Sequence, residues 1–320
     1  MNKFQNVEIG LRSVLLGRRQ LPSILRYLLP CFVFWAASVS AEQNSSDTWF
    51  DSIFSLTGEY KAEETYVGDA DVERGTHKVR NFSESDTIAR FILTPRLPIG
   101  ILRLGAEWER FSFGLPQRSL LPNTLQSASF VIGLDTEFSS SILARFEVAP
   151  GLYGTNNLNF DDANVPFIAG GTYIYSPKLQ FVLGVSVDIE RKYPVIPAAG
   201  VRWKLFRQWV LNAVLPEPRI EFEQNKNLTW YLGANVKETN FRVDDQFGSS
   251  QGQPRLNHAV LTYSEVRTGL GADWKLSPNV TLTAEAGYQP YRTFDFYRAD
   301  IRFRENGSAP YGMISLHGAF

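Results

Sequence analysis

Apolar and polar residues alternate with period two through most of the chain from Phe54 onward. Along 126–138, Ala128, Phe130, Ile132, Leu134 and Phe138 share one face, while Ser127, Ser129, Gly133, Asp135 and Glu137 share the other. Along 181–190, Phe181, Leu183, Val185, Val187 and Ile189 oppose Gly184, Ser186, Asp188 and Glu190. The stretches 266–276 and 280–288 repeat the pattern, with Leu270, Trp274, Leu282 and Tyr288 against Arg267, Asp273, Lys275 and Glu285. Strict alternation predicts strands with one apolar and one polar face. No convincing amphipathic helix follows the N-terminal region.

The connections between these strands alternate in length. Short ones fall at 95–100, 139–141, 176–178, 206–208, 224–227 and 277–279. Long ones fall at 67–84, 114–124, 154–164, 191–197, 244–257 and 300–309. A soluble β-sandwich also alternates, but its turns are short at both ends. Short turns at one rim and long loops at the other predict an outer-membrane barrel with periplasmic turns and extracellular loops. The fold class expected is therefore all-β: a transmembrane antiparallel up-and-down β-barrel. Fourteen strands are expected: 55–66, 86–95, 101–113, 125–138, 142–153, 165–175, 179–190, 198–206, 209–215, 219–224, 228–243, 259–276, 280–298 and 310–320. Both ends of such a chain lie at the periplasmic rim, so the number must be even. The segment 209–224 carries Pro216, Glu217 and Pro218 at its centre, and proline is hard to place inside a sheet. It is read as a tight outer turn between two short strands. Twelve strands, with this segment kinked, is the alternative.

The first 41 residues have a different character. Lys3, Arg12, Arg18, Arg19 and Arg26 precede an apolar run from Leu28 to Ala37, and Val39, Ser40 and Ala41 close it. This is the basic, apolar and small-residue order of a secretory signal peptide. The run is shorter than the roughly 18 apolar residues that a spanning helix needs. The expected organisation is a signal peptide at 1–41, a polar, flexible segment at 42–54 and an outer-membrane barrel over 55–320. An N-terminal anchor is the competing reading. Removal of 1–41 leaves 279 residues with no cysteine and a formal net charge of −5, against −1 for the full chain. A single cysteine, Cys31, excludes an intrachain disulfide framework, and near-zero charge excludes a strongly basic nucleic-acid binder. Cys31 follows Pro30, where a lipidation site would have a small residue, so it reads as part of the signal core.

The chain ends Tyr311, Gly312, Met313, Ile314, Ser315, Leu316, His317, Gly318, Ala319, Phe320. This resembles the C-terminal signal of bacterial outer-membrane barrels, which implies the barrel-assembly machinery as a partner and Phe320 as the assembly signal. A wider likeness is carried by Val165, Pro166 and Phe167, by the run from Pro197 to Trp203 and by the run from Leu215 to Phe222. Ala286, Gly287, Tyr288, Arg292, Thr293 and Phe294 fit it too. The chain resembles an uncharacterised family of bacterial outer-membrane β-barrels over most of its length beyond residue 41. The resemblance implies a barrel and carries no activity.

Charged residues on the polar faces must line the interior, because Arg or Lys facing lipid near the midplane costs about 2–4 kcal/mol. The expected lumen-lining residues are Arg90, Arg103, Glu107, Asp135, Glu137, Arg145, Glu147, Asp188, Arg202, Lys204, Glu265, Arg267, Asp273, Lys275 and Glu285. Glu109 and Glu190 lie on the same faces. Mixed signs at similar density fit both a water-filled pore and a salt-bridged wall, and neither gives strong ion selectivity. Trp203, Phe206, Trp209, Trp230, Trp274 and Tyr288 sit near strand ends, as in the aromatic girdle of a barrel in contact with outer-membrane lipids. Asp161, Asp162, Asp244 and Asp245 read as solvated loop acids rather than a Ca²⁺ site, and no metal or cofactor is expected. Gly170 and Gly171 read as a bend or close approach in the wall. His317 and Ser315 are the only local pair resembling part of a hydrolytic site. The expected function is passive passage of small polar solutes, with no enzymatic activity. A closed structural or adhesive barrel acting through its loops is the alternative, followed by a lipid-modifying enzyme.

Overall fold

The computed structural model describes residues 57–75, 77–115 and 119–320. The signal peptide expected at 1–41 and the segment expected at 42–54 lie outside the described residues. The strands are β1 (Gly58–Arg74), β2 (His77–Leu93), β3 (Arg96–Leu97), β4 (Gly100–Gly114), β5 (Thr124–Ser139), β6 (Ile142–Val148), β7 (Gly151–Gly154), β8 (Ala163–Asn164) and β9 (Phe167–Ser176). They continue as β10 (Leu179–Val187), β11 (Val195–Lys204), β12 (Trp209–Val214), β13 (Arg219–Glu223), β14 (Leu228–Arg242), β15 (Val260–Ser277), β16 (Val280–Phe296), β17 (Ile301–Asn306) and β18 (Ala309–Ala319).

All the strands join one sheet whose ladders are antiparallel. β6 with β7, β8 with β9 and β17 with β18 each make one stave, and β3 is a two-residue bridge against the start of β4. Fourteen staves result. The last meets the first in register from Glu59 opposite Ala319 to Val67 opposite Tyr311, so the sheet closes on itself. Closure is what allows a sheet to sit in lipid, since an open edge would leave unpaired N–H and C=O groups there. Among the described residues no helix is long and apolar enough to cross a membrane.

The outward face carries the apolar residues: Phe91, Phe130, Leu183, Leu232, Leu270 and Ile314 are all exposed. Trp203, Trp209, Trp230 and Trp274 lie near the short-turn rim, and Tyr66, Trp108 and Tyr288 lie higher on the wall. An apolar outer band with aromatic girdles, a polar inner face and short turns at the rim where β1 begins and β18 ends are the features of an outer-membrane barrel. This chain is a bacterial outer-membrane protein.

Two expected loops are strand instead. The segment 67–84 is not a loop: β1 and β2 extend to Arg74 and His77 and form a tall hairpin. Its alternation is obscured at Gly68, Asp69 and Ala70, where the register shifts. Near its tip Lys78 Nζ sits 2.8 Å from Asp71, and this hydrogen bond holds the Asp71 carboxyl below the usual range. The segment 300–309 likewise contains β17. Pro216–Pro218 does form a tight turn between short strands, and a four-residue helix at Phe247–Ser250 sits in a long loop where no helix was expected.

The upper part of the barrel is pinched. β14 approaches β7 and β5 across the interior, with Cα atoms within 8 Å. Thr155 at the end of β7 donates to Asp244 beyond the end of β14 at 2.6 Å. Between the opposed walls lies an apolar core of Phe82, Phe111, Phe113, Phe241, Tyr263, Phe294, Phe296 and Phe303, with Val72, Leu125, Leu256 and Ile301 around them. Phe111 and Tyr263 approach to 4.8 Å between ring centroids, and Phe113 and Phe294 meet edge to face at 5.2 Å. Fully buried aromatics of this kind stabilise by about 1.5–3 kcal/mol each. The upper half therefore packs like a sandwich, although its hydrogen bonding is that of a barrel.

Candidate functional site

Inward positions are identified by alternation against the exposed outer residues, and they gather into three charged groups. The first lies on the wall formed by β1, β2, β4, β5 and β6. Arg90 reaches Glu107 at 3.1 Å and Glu147 at 2.9 Å. Arg103 reaches Glu59 at 3.2 Å and Glu147 at 3.5 Å. Arg145 forms a two-pronged pair with Asp135. Arg90–Glu107 and Arg145–Asp135 join neighbouring strands and the other pairs skip one or two, all along one stretch of wall.

The second group lies on the lower part of the opposite wall. Lys204 pairs with Glu223 at 2.6 Å, Arg202 with Glu221 at 3.8 Å, and Arg219 with Glu221 at 2.7 Å and Asp273 at 3.3 Å. Arg219 also stacks over the Tyr231 ring at 4.9 Å. Glu285 accepts a hydrogen bond from Tyr311 at 2.6 Å.

The third group spans the lumen. Lys237 on β14 reaches Asp86 on β2 at 2.9 Å and also pairs with Glu109 on β4, with its ammonium 3.6 Å from the Phe111 ring centre. Arg292 pairs with Glu84 at 2.6 Å and Glu305 at 2.9 Å. Tyr263 donates to Glu84 at 2.6 Å, Glu265 pairs with Arg267, and Gln289 donates to Glu265 at 2.7 Å. Every one of these residues is buried. Taking charges out of water is costly unless partners and hydrogen bonds compensate, so the group is stable only as a connected set.

The residues expected to line the lumen are distributed among these groups. Arg90, Arg103, Glu107, Asp135, Arg145 and Glu147 are brought together in the first; Arg202, Lys204, Asp273 and Glu285 in the second; Glu265 and Arg267 in the third. Asp188 is buried just above β10, where it accepts from Asn164 at 3.0 Å and Asn240 at 2.7 Å. Glu137 and Lys275 lie exposed at the lower ends of β5 and β15, away from the three groups.

Glu84, Asp86, Lys237, Arg292 and Glu305 were missed by sequence reasoning. Glu84 and Glu305 fell in the two segments taken as loops. Arg292 changes face at a bulge: Val266 opposes Tyr291 and Thr268 opposes Tyr288, so Gln289 and Pro290 together stand opposite Arg267, and this one extra residue resets the alternation. Proline tolerates such a position because a bulge needs no ladder hydrogen bond from it. Lys237 was legible, since it shares the face of Tyr231 and Asn235.

Ser315 and His317 both face inward on β18, but Ser315 Oγ is buried with no hydrogen-bond partner among the described residues. The serine–base hydrogen bond that nucleophilic catalysis requires is thus not formed. Asp162 accepts from the Asn159 backbone at 2.9 Å in a loop turn, and Asp244 is the acceptor of Thr155. Among the described residues no group of three or more metal-ligating side chains occurs.

The remaining arc of wall, β9 to β11, differs in kind. Tyr173, Phe181, Leu183 and Trp203 point out, which turns Gly170, Gly184, Ser186, Ala198 and Gly200 inward. Gly170 opposes Gly184, and Gly184 opposes Ala198, so three of the smallest residues share one row. Arg145 continues that row on β6.

Residues 94–305 match the model of the family described as Domain of unknown function (DUF6268). The chain belongs to this family. No curated protein matches it. Among solved structures it is similar to the COG4313 outer membrane channel from Pseudomonas putida F1, at 10% identity and a TM-score of 0.43, covering 84% of this chain and 96% of that one. It is also similar to the P. putida toluene transporter TodX, at 9% identity and a TM-score of 0.42, covering 83% and 90%. A third is the KdgM porin in complex with disordered oligogalacturonate, at 8% identity and a TM-score of 0.35, covering 82% and 99%.

Proposed function

We propose that this family member is a narrow passive channel for small polar solutes. The observation that carries the reading is the row Gly170, Gly184 and Ala198 on the inner wall. The pinch fills the side between β2, β4 and β5 and β14 to β17. In that row β9 to β11 present nothing larger than a methyl group to the lumen, with Ile168, Ser186 and Ile196 in the row above and Thr172, Val182 and Gly200 in the row below. Ser186 lies above this row, and Arg202, Lys204 and Glu223 lie toward the lower mouth. Their mixed charge gives a solute polar contacts without a strong preference for either sign. Chemistry on the solute is not part of the proposal; the reading is passage, not catalysis.

The lipid partners of the outer face and the assembly machinery acting on the end at Phe320 belong to the same reading. Phe320 seals the seam through backbone bonds with Gly58 at 2.9 and 3.0 Å. Its ring stacks with Phe91 at 5.9 Å between centroids on the lipid side.

A closed structural barrel is the second reading, and the buried Lys237–Asp86–Glu109 bridge favours it. Liposome swelling separates the two. Proteoliposomes placed in an isosmotic solution of a pentose should swell faster than protein-free liposomes, and faster than in an isosmotic tetrasaccharide. Identical behaviour of proteoliposomes and empty liposomes would favour the closed barrel.

A further inference from the structure

One carboxylate on the outer wall faces lipid. Exposure alternates along β1: Ala62 and Tyr66 point out while Glu63, Thr65 and Val67 are buried, which turns Glu64 outward between Ala62 and Tyr66. Its cross-strand neighbours are Ile314 on β18, exposed in the apolar band, and Thr87 on β2. Glu64 therefore sits on the membrane side of Tyr66, a girdle aromatic. Among the described residues no hydrogen bond or ion pair reaches its carboxylate. An ionisable side chain held against lipid is costly, and such groups are found paired with one another or with a polar partner.

The same face carries the opposite charge. Thr87 opposes Arg110 on β4, so Glu64, Thr87 and Arg110 form one outward row across β1, β2 and β4. Arg110 is exposed, and it too has no ion pair among the described residues. Two strand spacings, roughly 9–10 Å, separate the two backbones, and strand tilt sets Arg110 roughly 6 Å higher on the wall. Between them the surface is low: Ala62 and Ala89 oppose each other, and both are exposed. Trp108 opposes Ala89 from β4 and stands out from the wall beneath Arg110. A face with an acid and a base flanking small residues is self-complementary. A two-fold axis along the membrane normal at Thr87 exchanges β1 with β4. It sets Glu64 of each copy opposite Arg110 of the other, and the long guanidinium side chain spans the difference in height. The same rotation seats Trp108 of one copy over Ala62 and Ala89 of the other.

We propose that two copies of this chain associate side by side in the membrane through the outer faces of β1, β2 and β4, joined by two reciprocal Glu64–Arg110 pairs. Charge complementarity selects a second copy as the occupant. An anionic lipid headgroup satisfies Arg110 and repels Glu64, whereas a second copy answers both charges at once. The small residues at Ala62, Thr87 and Ala89 let the two walls approach closely, as small residues do between other membrane-spanning elements. Association of this kind is independent of whether the lumen conducts, because every residue in it faces away from the interior.

The test uses the full chain in a Cys31→Ser background, inserted in liposomes at high lipid-to-protein ratio, with Thr87→Cys as the reporter at the axis. A short bismaleimide should join two copies through position 87. Leu183→Cys, which is exposed on the distant β10 wall, should give only the background of random collisions. Glu64→Arg and Arg110→Glu each bring like charges together, and each should lower the crosslinked fraction about ten-fold or more. Combining the two reversals restores opposite charges and should return most of the crosslinking. Heat-modifiability of each variant reports insertion, and Glu64→Gln, which should also lower the crosslinked fraction, serves if a reversal fails to insert. Equal crosslinking at positions 87 and 183 would overturn the proposal, as would single variants that leave the crosslinked fraction unchanged. A loss that the combined reversal does not restore would overturn it too, since Glu64 and Arg110 would then be answering separately to lipid.

Discussion

Lys237 and Asp86, 151 residues apart in sequence, meet inside the barrel at 2.9 Å. The strands that carry them are not neighbours, so this contact reports the pinch and not the ladder. It ties the wall that leans inward to the wall that receives it. Removing the ammonium would strand the Asp86 and Glu109 carboxylates among phenyl rings. Lys237→Met should therefore destabilise the folded barrel by about 3–5 kcal/mol. Combining it with Asp86→Asn and Glu109→Gln should restore most of that loss. Urea midpoints of the refolded variants check both expectations, and a single variant as stable as the native chain would count against the bridge.

The aromatic core should behave as the interior of a soluble protein. Phe294 is fully buried and touches Phe82, Phe113 and Tyr263. Phe294→Ala should cost about 3–5 kcal/mol through lost burial and the cavity it leaves. The exposed, outward Phe130 is the comparison. Its replacement by Leu should change the same denaturation midpoint little.

The seam at Gly58 and Phe320 makes a different demand. A Cβ built on Gly58 would stand 2.3 Å from the Phe320 ring. Gly58→Val should displace that ring while leaving the backbone bonds within reach, and should lower the yield of heat-modifiable, membrane-inserted protein. Deleting Phe320 should lower it further, and Phe320→Tyr should be tolerated. Equal insertion of the deletion variant and the native chain at native expression would remove Phe320 from assembly.

The barrel was legible because its outer face must be apolar and its inner face polar at alternate positions, whatever the solute. That constraint places Arg90, Arg103, Arg145 and Arg267 inside from their parity alone. Parity says nothing about how far one wall stands from another. The pinch depends on side chains reaching across the lumen, and Lys237 carries no local sign that its partners lie on β2 and β4. Parity also breaks wherever a bulge inserts residues, which is why Arg292 escaped notice. The reading of 67–84 as a loop failed for a related reason: charged, extended residues rising above the membrane look like a loop when only burial by lipid is considered. Pro216 and Pro218, by contrast, announced a turn directly, because proline cannot sit in a ladder interior.

On the proposed path, solute passes beside Gly170, Gly184 and Ala198. Ala198 lies opposite Gly184 on the inner face, so a tryptophan there would project into the passage without facing lipid. The direct measurement is single-channel recording of the refolded protein in planar bilayers, comparing the native chain with Ala198→Trp and with Leu183→Trp, which places the same ring on the lipid side. Small, steady channels are expected for the native chain and for Leu183→Trp, and a conductance strongly reduced or lost for Ala198→Trp. Native channels that Ala198→Trp leaves unchanged would contradict the assigned path, and a silent native protein over a range of voltages would contradict the channel itself.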